Sequence, residues 1–247
     1  MKFKYEGHLI ELVFTDECDY LAKQAIRSGT FFEEHFLRYL RDNKVIGSNS
    51  VVMDIGACVG NHTVYFSKII GVKKVISIEP TLQSFKALQR NVELNSLDNV
   101  VCKRVVVSSN DGMAKCFVKK PDNIGANRWV PVGENAKPLF GPDGKAYNAD
   151  ITEDSIYVKT VTLTDIVNEK IDFIKMDVED AENMIIETGK DVIREYRPGL
   201  MVEVSRHNLE RFEDLMKELD YVQTGESVFA KNRSKKTSTV LYKHRGK

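Results

Sequence analysis

Cysteine is scarce in this 247-residue chain, and the few cysteines present are far apart. They are Cys18, Cys58, Cys102 and Cys116. No two of them form the Cys-x-x-Cys pair that is typical of zinc sites and of thiol redox sites. The cysteines therefore give no indication of a structural zinc protein or a redox protein.

The chain also lacks net charge. It carries 36 Lys and Arg residues and 36 Asp and Glu residues, so its formal net charge is zero. Without a global positive field, long-range attraction to nucleic acid or to an anionic membrane is weak. We therefore expect neither a nucleic-acid partner nor a membrane partner; the oligomeric state is not predicted.

Long apolar runs are absent as well. No stretch approaches the roughly 20 apolar residues of a membrane-spanning helix, and no apolar run follows a basic N-terminal start as in a secretory leader. Hydrophobic residues make up 42% and charged residues 29% of the chain, which is typical of a globular protein. The simplest expectation is a cytoplasmic protein.

Residues 51–80 form the unit around which the rest of the chain is arranged. A short apolar run at Val51 passes into a turn with glycines, then into an amphipathic segment, and ends in a β-branched run at residues 75–78. This succession predicts a strand, a turn, a helix and a second strand. The second strand is apolar enough to be parallel and buried on both faces.

The turn holds two glycines, Gly56 and Gly60, which allow the backbone to approach either a ligand or the neighbouring strand. The N–H groups that begin the next helix point to the same place. A phosphate-binding loop would continue with Lys-Ser/Thr, but Asn61 and His62 follow here. Dinucleotide loops have the spacing Gly-x-Gly-x-x-Gly, which this turn lacks. The turn therefore favours neither of these ligand classes.

Two carboxylates at the strand ends indicate which ligand the turn would bind. Asp54 would repel a pyrophosphate, but it suits a ligand with an ammonium and a sulfonium. Glu79 lies at the end of the second strand, where an acidic residue accepts hydrogen bonds from ribose hydroxyls. Together they predict a nucleoside that is cationic and not phosphorylated.

Three separated motifs follow one another in the chain. They are Asp-Ile-Gly-Ala-x-x-Gly-Asn from Asp54, Ile-Glu-Pro from Ile78, and Lys-Met-Asp-Val-Glu-Asp-Ala-Glu from Lys175. In this order they resemble the FkbM-type S-adenosylmethionine-dependent methyltransferases, over about residues 31–204. The resemblance implies an α/β fold with a doubly wound, mostly parallel sheet, Rossmann-like as in class I methyltransferases. It also implies S-adenosylmethionine as the cofactor. The apolar runs at residues 227–230 and 238–242 predict a C-terminal antiparallel hairpin.

The resemblance also implies which residues contact the cofactor. Asp54, Gly56 and Gly60 would hold the methionine portion. Glu79 would bind the ribose, and the end of a third strand predicted at Val100–Val107 would cover the adenine. The predicted cofactor contacts are Asp54, Gly56, Ala57, Gly60, Asn61, Glu79, Val107, Ser108 and Asp177.

Methyl transfer from a sulfonium is an in-line displacement, so the enzyme mainly aligns an acceptor and, for a hydroxyl, removes its proton. Asp177, at the tip of a predicted central strand, and Glu179 are the candidate bases. His207 is the third candidate because the ordinary pKa of histidine suits the task. The alternative for His207 is a solvent-facing residue near the start of a helix.

Asp180 stands where the family usually has a glycine. Asp is among the few other residues that tolerate the positive φ that a glycine would supply there, so the turn is expected to survive and to bring a further carboxylate into the site. Asp177, Asp180 and Glu203 at neighbouring strand ends would suit a divalent cation. Since clustered carboxylates would equally receive a cationic substrate, no metal is predicted.

Two further regions would contribute to a substrate site. Residues 29–40 predict a helix capped by Thr30, which related proteins use as a lid over the cofactor. Residues 119–157 hold four of the six prolines and show no strand or helix period, which predicts an excursion from the core. The predicted substrate contacts are Phe32, Glu33, Trp129 and Glu203.

The predicted organisation is an N-terminal hairpin with a lid helix (1–45), followed by a class I methyltransferase domain (46–247) that contains the excursion at 119–157. The predicted activity is O-methylation of a small-molecule or glycan hydroxyl. The alternatives are an NAD-dependent oxidoreductase, which the turn spacing and the terminal hairpin disfavour, and a non-catalytic nucleoside-binding module. Nucleic-acid methylation is disfavoured because no Asn/Asp-Pro-Pro-Tyr or Pro-Cys motif is present.

Overall fold

The structure, a computed structural model, describes residues 1–15, 20–117, 127–133, 156–225 and 237–246. The strands are β1 (Lys2–Tyr5), β2 (His8–Glu11), β3 (Val51–Ile55), β4 (Lys74–Ile78), β5 (Val100–Lys103), β6 (Val106–Val107), β7 (Gly112–Phe117), β8 (Arg128–Val132), β9 (Tyr157–Val161), β10 (Phe173–Met176), β11 (Gly199–Ser205), β12 (Tyr221–Thr224) and β13 (Thr237–His244). The α-helices are α1 (Tyr20–Ser28), α2 (Glu34–Asp42), α3 (Asn61–Val64), α4 (Leu82–Leu94), α5 (Leu163–Ile166), α6 (Glu182–Thr188), α7 (Lys190–Tyr196) and α8 (Arg206–Glu218), and α3 continues as a π-helical segment, Tyr65–Ile70.

A seven-stranded sheet forms the centre of the molecule, in the order β12-β13-β11-β10-β3-β4-β5. Strands β11, β10, β3, β4 and β5 are parallel, whereas β13 is antiparallel to β11 and β12. The chain proceeds from β3 to β4 and β5 on one side, and from β10 to β11 on the other. The strand order therefore reverses between β3 and β10, where doubly wound sheets bind ligands. The predicted fold class, including the C-terminal hairpin, is confirmed.

The central strands are apolar because helices cover both faces of the sheet. Every residue of β3 and β10 is buried. Met53 and Ile174 face a core shared with α6 and α8, and Val52 and Phe173 face a second core shared with α2 and the N-terminal hairpin. Lys175 of β10 is the charged exception on its strand and is 4% exposed.

The predicted N-terminal hairpin is formed by β1 and β2. The two residues between them, Glu6 and Gly7, have φ angles of 46° and 86°, as the tight turn of a two-residue hairpin requires. Tyr5 packs edge-to-face on Phe31 and Tyr65, with ring centroids 5.3 and 5.7 Å apart. The hairpin therefore packs on Phe31 and the π-helical segment, in the core that also holds Val52 and Phe173. The division of the chain at residue 45 stays a prediction.

The predicted helix cap at Thr30 is wrong. Helix α2 begins at Glu34, and Glu33 precedes it with a φ of 56°. The asparagine side chain of Asn61 binds both the N–H and the C=O of Phe32, at 2.9 and 3.0 Å. Because these backbone groups are engaged by a side chain, the segment before Glu34 is not helical. Helix α1 was not predicted.

The third predicted strand is divided between two sheets. Val100–Lys103 is the edge of the main sheet, whereas Val106–Val107 pairs with β9 in a second, four-stranded sheet of order β6-β9-β7-β8. The prediction that residues 119–157 contain no strand is wrong for Arg128–Val132. This segment pairs antiparallel with β7 over five residues. Because β7 lies outside residues 119–157, the composition of the segment alone did not indicate this strand.

The C-terminal hairpin consists of β12 and β13, whereas the prediction paired 238–242 with 227–230, which lie outside the described residues. Arg197, with a φ of 49°, ends α7 before Pro198, as predicted. No helix among the described residues has both the length and the apolar character of a membrane span.

Candidate active site

A cavity of about 790 Å³ opens at the carboxyl ends of β3 and β10. Its volume lies in the upper part of the ~300–1,000 Å³ range of ligand pockets, so there is room for more than one small group. The second sheet and the residues before α2 form its other walls. Nine residues predicted from the sequence line it: Phe32, Glu33, Gly56, Glu79, Val107, Trp129, Asp177, Glu179 and Glu203.

Six predicted residues are not in the lining: Asp54, Ala57, Gly60, Asn61, Ser108 and His207. Asp54 is fully buried; its carboxylate accepts a hydrogen bond from Thr63 Oγ1 at 2.7 Å and lies 3.4 Å from Lys175 Nζ. It faces the protein interior because these two partners compensate its charge there. The structure therefore does not place Asp54 in contact with a ligand ammonium.

Three of the other five support the wall from behind. Ala57 donates its N–H to the carbonyl of Ile78 at 3.0 Å, and Ser108 donates its N–H to the carbonyl of Val161 at 2.8 Å. Asn61 holds the backbone of Phe32, as described above. These contacts fix the cavity wall from outside it.

Contacts within the protein itself favour glycine at both positions of the turn. Gly56 has a φ of 79°, and a Cβ added to it would lie 1.8 Å from the carbonyl oxygen of Asp177. Gly60 has a φ of 86°, and a Cβ there would lie 2.6 Å from Cδ1 of Leu88. The sequence left open whether these glycines allow approach to a ligand or to a neighbouring strand. The structure shows close approach to Asp177 and Leu88 of the same chain.

Glu79 lies in the lining with its carboxylate held by the backbone. Its two oxygens accept hydrogen bonds from the N–H groups of Cys58 and Thr81, at 2.9 and 2.7 Å. Burial raises the pKa of Glu79, although these N–H groups oppose that rise. A carboxylate has about four acceptor positions, so it can still accept hydroxyl groups of a ribose. The position and chemistry of Glu79 fit a nucleoside.

Lys175 organises the site, and the sequence analysis did not single it out. Its Nζ donates to the carbonyl of Gly56 at 2.9 Å and lies 3.4 Å from Asp54 Oδ1 and 3.9 Å from Asp177 Oδ2. Burial lowers the pKa of Lys175, but the two carboxylates outweigh this and raise it. A lysine in an apolar strand, two residues before Asp177 and hence on the same side of the strand, was the signal available in the sequence.

Carboxylates dominate the cavity wall. The acidic residues in the lining are Glu33, Glu34, Glu79, Asp177, Glu179 and Glu203, and the described lining contains no Lys or Arg. The negative charge of Asp177, followed by burial, raises the pKa of Glu203 to about 8. Burial raises the pKa of Asp177, and Lys175 opposes this. The cavity therefore favours a ligand that carries positive charge.

Asp180 does have a positive φ, 83°, and Glu179 before it has one of 54°. The side chain of Asp180 is buried and lies outside the cavity lining, because it pairs with Arg128 at 2.5 Å. His207 lies behind it, 3.5 Å from Oδ1, and is not positioned beside the cavity. Within the described part of the chain, no three His, Cys, Asp or Glu side chains form a group that could hold a metal ion.

Comparison with known families identifies the chain. The model of the methyltransferase FkbM domain matches residues 54–223. The chain belongs to the FkbM methyltransferase family. The resemblance in the three motifs is thereby confirmed, and S-adenosylmethionine is the cofactor that this family membership assigns.

Individual relatives are distant. The chain is 25% identical over 191 residues to methyltransferase sdnD of Sordaria araneosa, covering 70% of this chain and 73% of that protein. The crystal structure of an FkbM methyltransferase from Methylobacillus flagellatus KT aligns with a TM-score of 0.50 and 17% identity, over 81% of this chain and 44% of that longer chain. The structure of M. jannaschii TYW2 in complex with AdoMet aligns at 0.46, with 15% identity, over 98% of this chain and 85% of that one.

The acidic wall predicts a pH-dependent preference for the sulfonium. Below about pH 8 Glu203 is protonated and neutral, and above it the residue is ionised. Affinity for S-adenosylmethionine relative to the uncharged thioether S-adenosylhomocysteine should therefore rise between about pH 6.5 and pH 9, on the order of tenfold, since one pKa unit corresponds to tenfold. Calorimetric titration at several pH values measures both affinities. The ratio should lose most of this rise in Glu203→Gln, and a ratio independent of pH in the wild type would contradict the prediction.

Proposed function

We propose that this protein transfers the methyl group of S-adenosylmethionine to a hydroxyl group of a small molecule or glycan. The observation that supports this most is the joint presence of Glu79 and Asp177 in one acidic cavity, at the point where the strand order reverses. We also keep a cytoplasmic location as part of the proposal.

In this proposal the cofactor lies along the tips of β3 and β4. Glu79 accepts the ribose hydroxyls, Gly56 forms the wall beside the methionine portion, and Val107 lies beside the adenine. S-adenosylmethionine, when bound, supplies an electrophilic methyl group. The remaining work of the protein is to hold the acceptor in line and to accept its proton.

Asp177 is the proposed proton acceptor, with Glu179 in the same strand-tip loop as the alternative. The raised pKa of Asp177 makes its carboxylate a stronger base than an ordinary aspartate, while Lys175 at 3.9 Å limits the rise. Phe32 and Trp129 contribute apolar surface to the same cavity. Such surface excludes water and packs on the apolar face of an organic acceptor or a sugar ring.

The charge of the cavity supports an uncharged or cationic acceptor over a polyanion. Six acidic residues line the cavity, of which Glu203 ionises only at about pH 8, and no Lys or Arg of the described lining offsets them. A phosphate backbone entering this cavity would be repelled, since nucleic-acid sites are rich in Lys and Arg. Family membership favours methyl transfer over the NAD-dependent alternative, and measured turnover separates the enzyme from a non-catalytic module.

Replacing Asp177 by asparagine should abolish turnover and spare cofactor binding. Loss of a general base reduces the rate by about 10²–10⁴-fold, whereas the affinity for S-adenosylhomocysteine should stay within about threefold because the substitution keeps the size of the side chain. Transfer of labelled methyl from S-adenosylmethionine to panels of hydroxylated small molecules and glycans, and to RNA, measures the activity.

Asp214→Asn, at an exposed aspartate paired with Lys217, is the matched control and should leave turnover unchanged. Equal turnover in Asp177→Asn would exclude Asp177 as the base. Labelling of RNA alone would refute the proposed acceptor, and tight cofactor binding without transfer to any acceptor would favour the non-catalytic module.

A further inference from the structure

A buried ion pair joins the second sheet to the loop that follows β10. Nη2 of Arg128, in β8, lies 2.5 Å from Oδ2 of Asp180 and 3.8 Å from Oε2 of Glu179. Arg128 and Asp180 are only 4% and 5% exposed. On the other side of the same carboxylate, Nε2 of His207 in α8 lies 3.5 Å from Oδ1. The carboxylate of Asp180 therefore contacts two other elements of the fold.

Asp180 has a side chain although its backbone conformation favours glycine. Its φ of 83° is a conformation that favours glycine. An aspartate is strained at this position. Its carboxylate, however, compensates the positive charge of the buried Arg128 guanidinium. A glycine would relieve the strain and lose the ion pair.

The ion pair lies directly behind the cavity wall. Arg128 and Trp129 are consecutive in β8, so their side chains leave the strand on opposite faces. Trp129 lines the cavity and packs with Val106 and Val158, whereas Arg128 and Asp180 are outside the lining. The loop held by the ion pair carries Glu179, which does line the cavity.

We infer that Arg128 and Asp180 are positioning residues for the acceptor side of the cavity. Their ion pair sets the separation between the Trp129 wall and the carboxylates of the loop after β10, without contacting the ligands. The inference rests on the proposed function only in assigning this side of the cavity to the acceptor. The proposed cofactor contacts, Gly56 and Glu79, directly follow β3 and β4, so they belong to other elements than Arg128 and Asp180.

Trp129 is the only tryptophan of the chain, so its fluorescence reports this wall alone. In Asp180→Gly the changed residue lies on a different element from Trp129. We expect the emission of Trp129 in this variant to shift to longer wavelength, because the cavity wall opens locally. For the same reason, quenching of Trp129 by acrylamide should increase at least about twofold. The affinity for S-adenosylhomocysteine should stay within about threefold. Arg128→Met/Asp180→Gly should melt at a higher temperature than Arg128→Met, since the double variant removes the buried carboxylate together with its guanidinium partner.

Glu187→Gln provides the control, because it weakens an exposed pair with Arg211 at 2.9 Å and should leave the fluorescence unchanged. If Asp180→Gly does not fold, Asp180→Asn provides the same comparison. Unchanged emission and quenching in a folded Asp180 variant would overturn the inference. Loss of S-adenosylhomocysteine binding together with the shift would also overturn it, since the pair would then support the whole site. If the wild type does not bind S-adenosylhomocysteine, the proposed function fails, and the fluorescence comparison still decides the positioning role.

Discussion

Glu79→Ala is expected to weaken the binding of S-adenosylhomocysteine by at least tens of fold. Hydrogen bonds that a carboxylate accepts from two hydroxyls should contribute on the order of 2 kcal/mol or more, and about 1.4 kcal/mol corresponds to tenfold. The structure adds a second cause. The carboxylate also accepts the N–H groups of Cys58 and Thr81, and alanine would leave both without this acceptor, so the turn between β3 and α3 would loosen.

Calorimetric titration with S-adenosylhomocysteine and, separately, with NAD measures this effect. Glu79→Gln keeps the size of the side chain and one oxygen acceptor, so it should lose less affinity than Glu79→Ala. Glu93→Ala removes an exposed carboxylate paired with Arg90 and should bind like the wild type. Unchanged affinity in a folded Glu79→Ala protein would refute the ribose assignment, and a preference of the wild type for NAD would contradict the cofactor.

Gly56→Ala is expected to destabilise the fold strongly and to abolish cofactor binding. The added Cβ would lie 1.8 Å from the carbonyl oxygen of Asp177, and this neighbour is backbone, so it cannot move away as a side-chain end would. The tips of β3 and β10 must then separate. Together with the cost of a positive φ, we expect a loss of about 4 kcal/mol or more in the free energy of unfolding, at the upper end for a single substitution.

Gly71→Ala is the matched control, because Gly71 has a similar φ of 68° but nothing within 4 Å of an added Cβ. It should lose only the conformational cost of about 1–2 kcal/mol and keep cofactor affinity. Urea denaturation of the two variants, combined with titration of S-adenosylhomocysteine, separates packing from conformation. Equal losses of stability in both variants would show that the contact with Asp177 yields at little cost.

The linear order of motifs was sufficient to predict the fold class, the family and the cofactor, all of which are confirmed. The turn at Gly56, Glu79 after the second strand, and Asp177 after a later apolar strand each stand at a strand end. Because the carboxyl ends of parallel strands meet at one edge of a sheet, these positions could be expected to meet without knowledge of the tertiary structure. The local sequence carries this information because strand, turn and helix signals depend on residues that are close together in the chain.

Which way each side chain faces was decided only by the tertiary structure. Asp54 lies one residue before the end of β3, and it faces Thr63 and Lys175 in the interior and not the cavity. Asp180 pairs with Arg128, 52 positions earlier, and β8 exists because β7 pairs with it. The sequence by itself determined the order of elements and the chemistry at their ends. The direction of the buried charges depended on partners that are distant in sequence, since a buried charge is stable only where another element brings a compensating group.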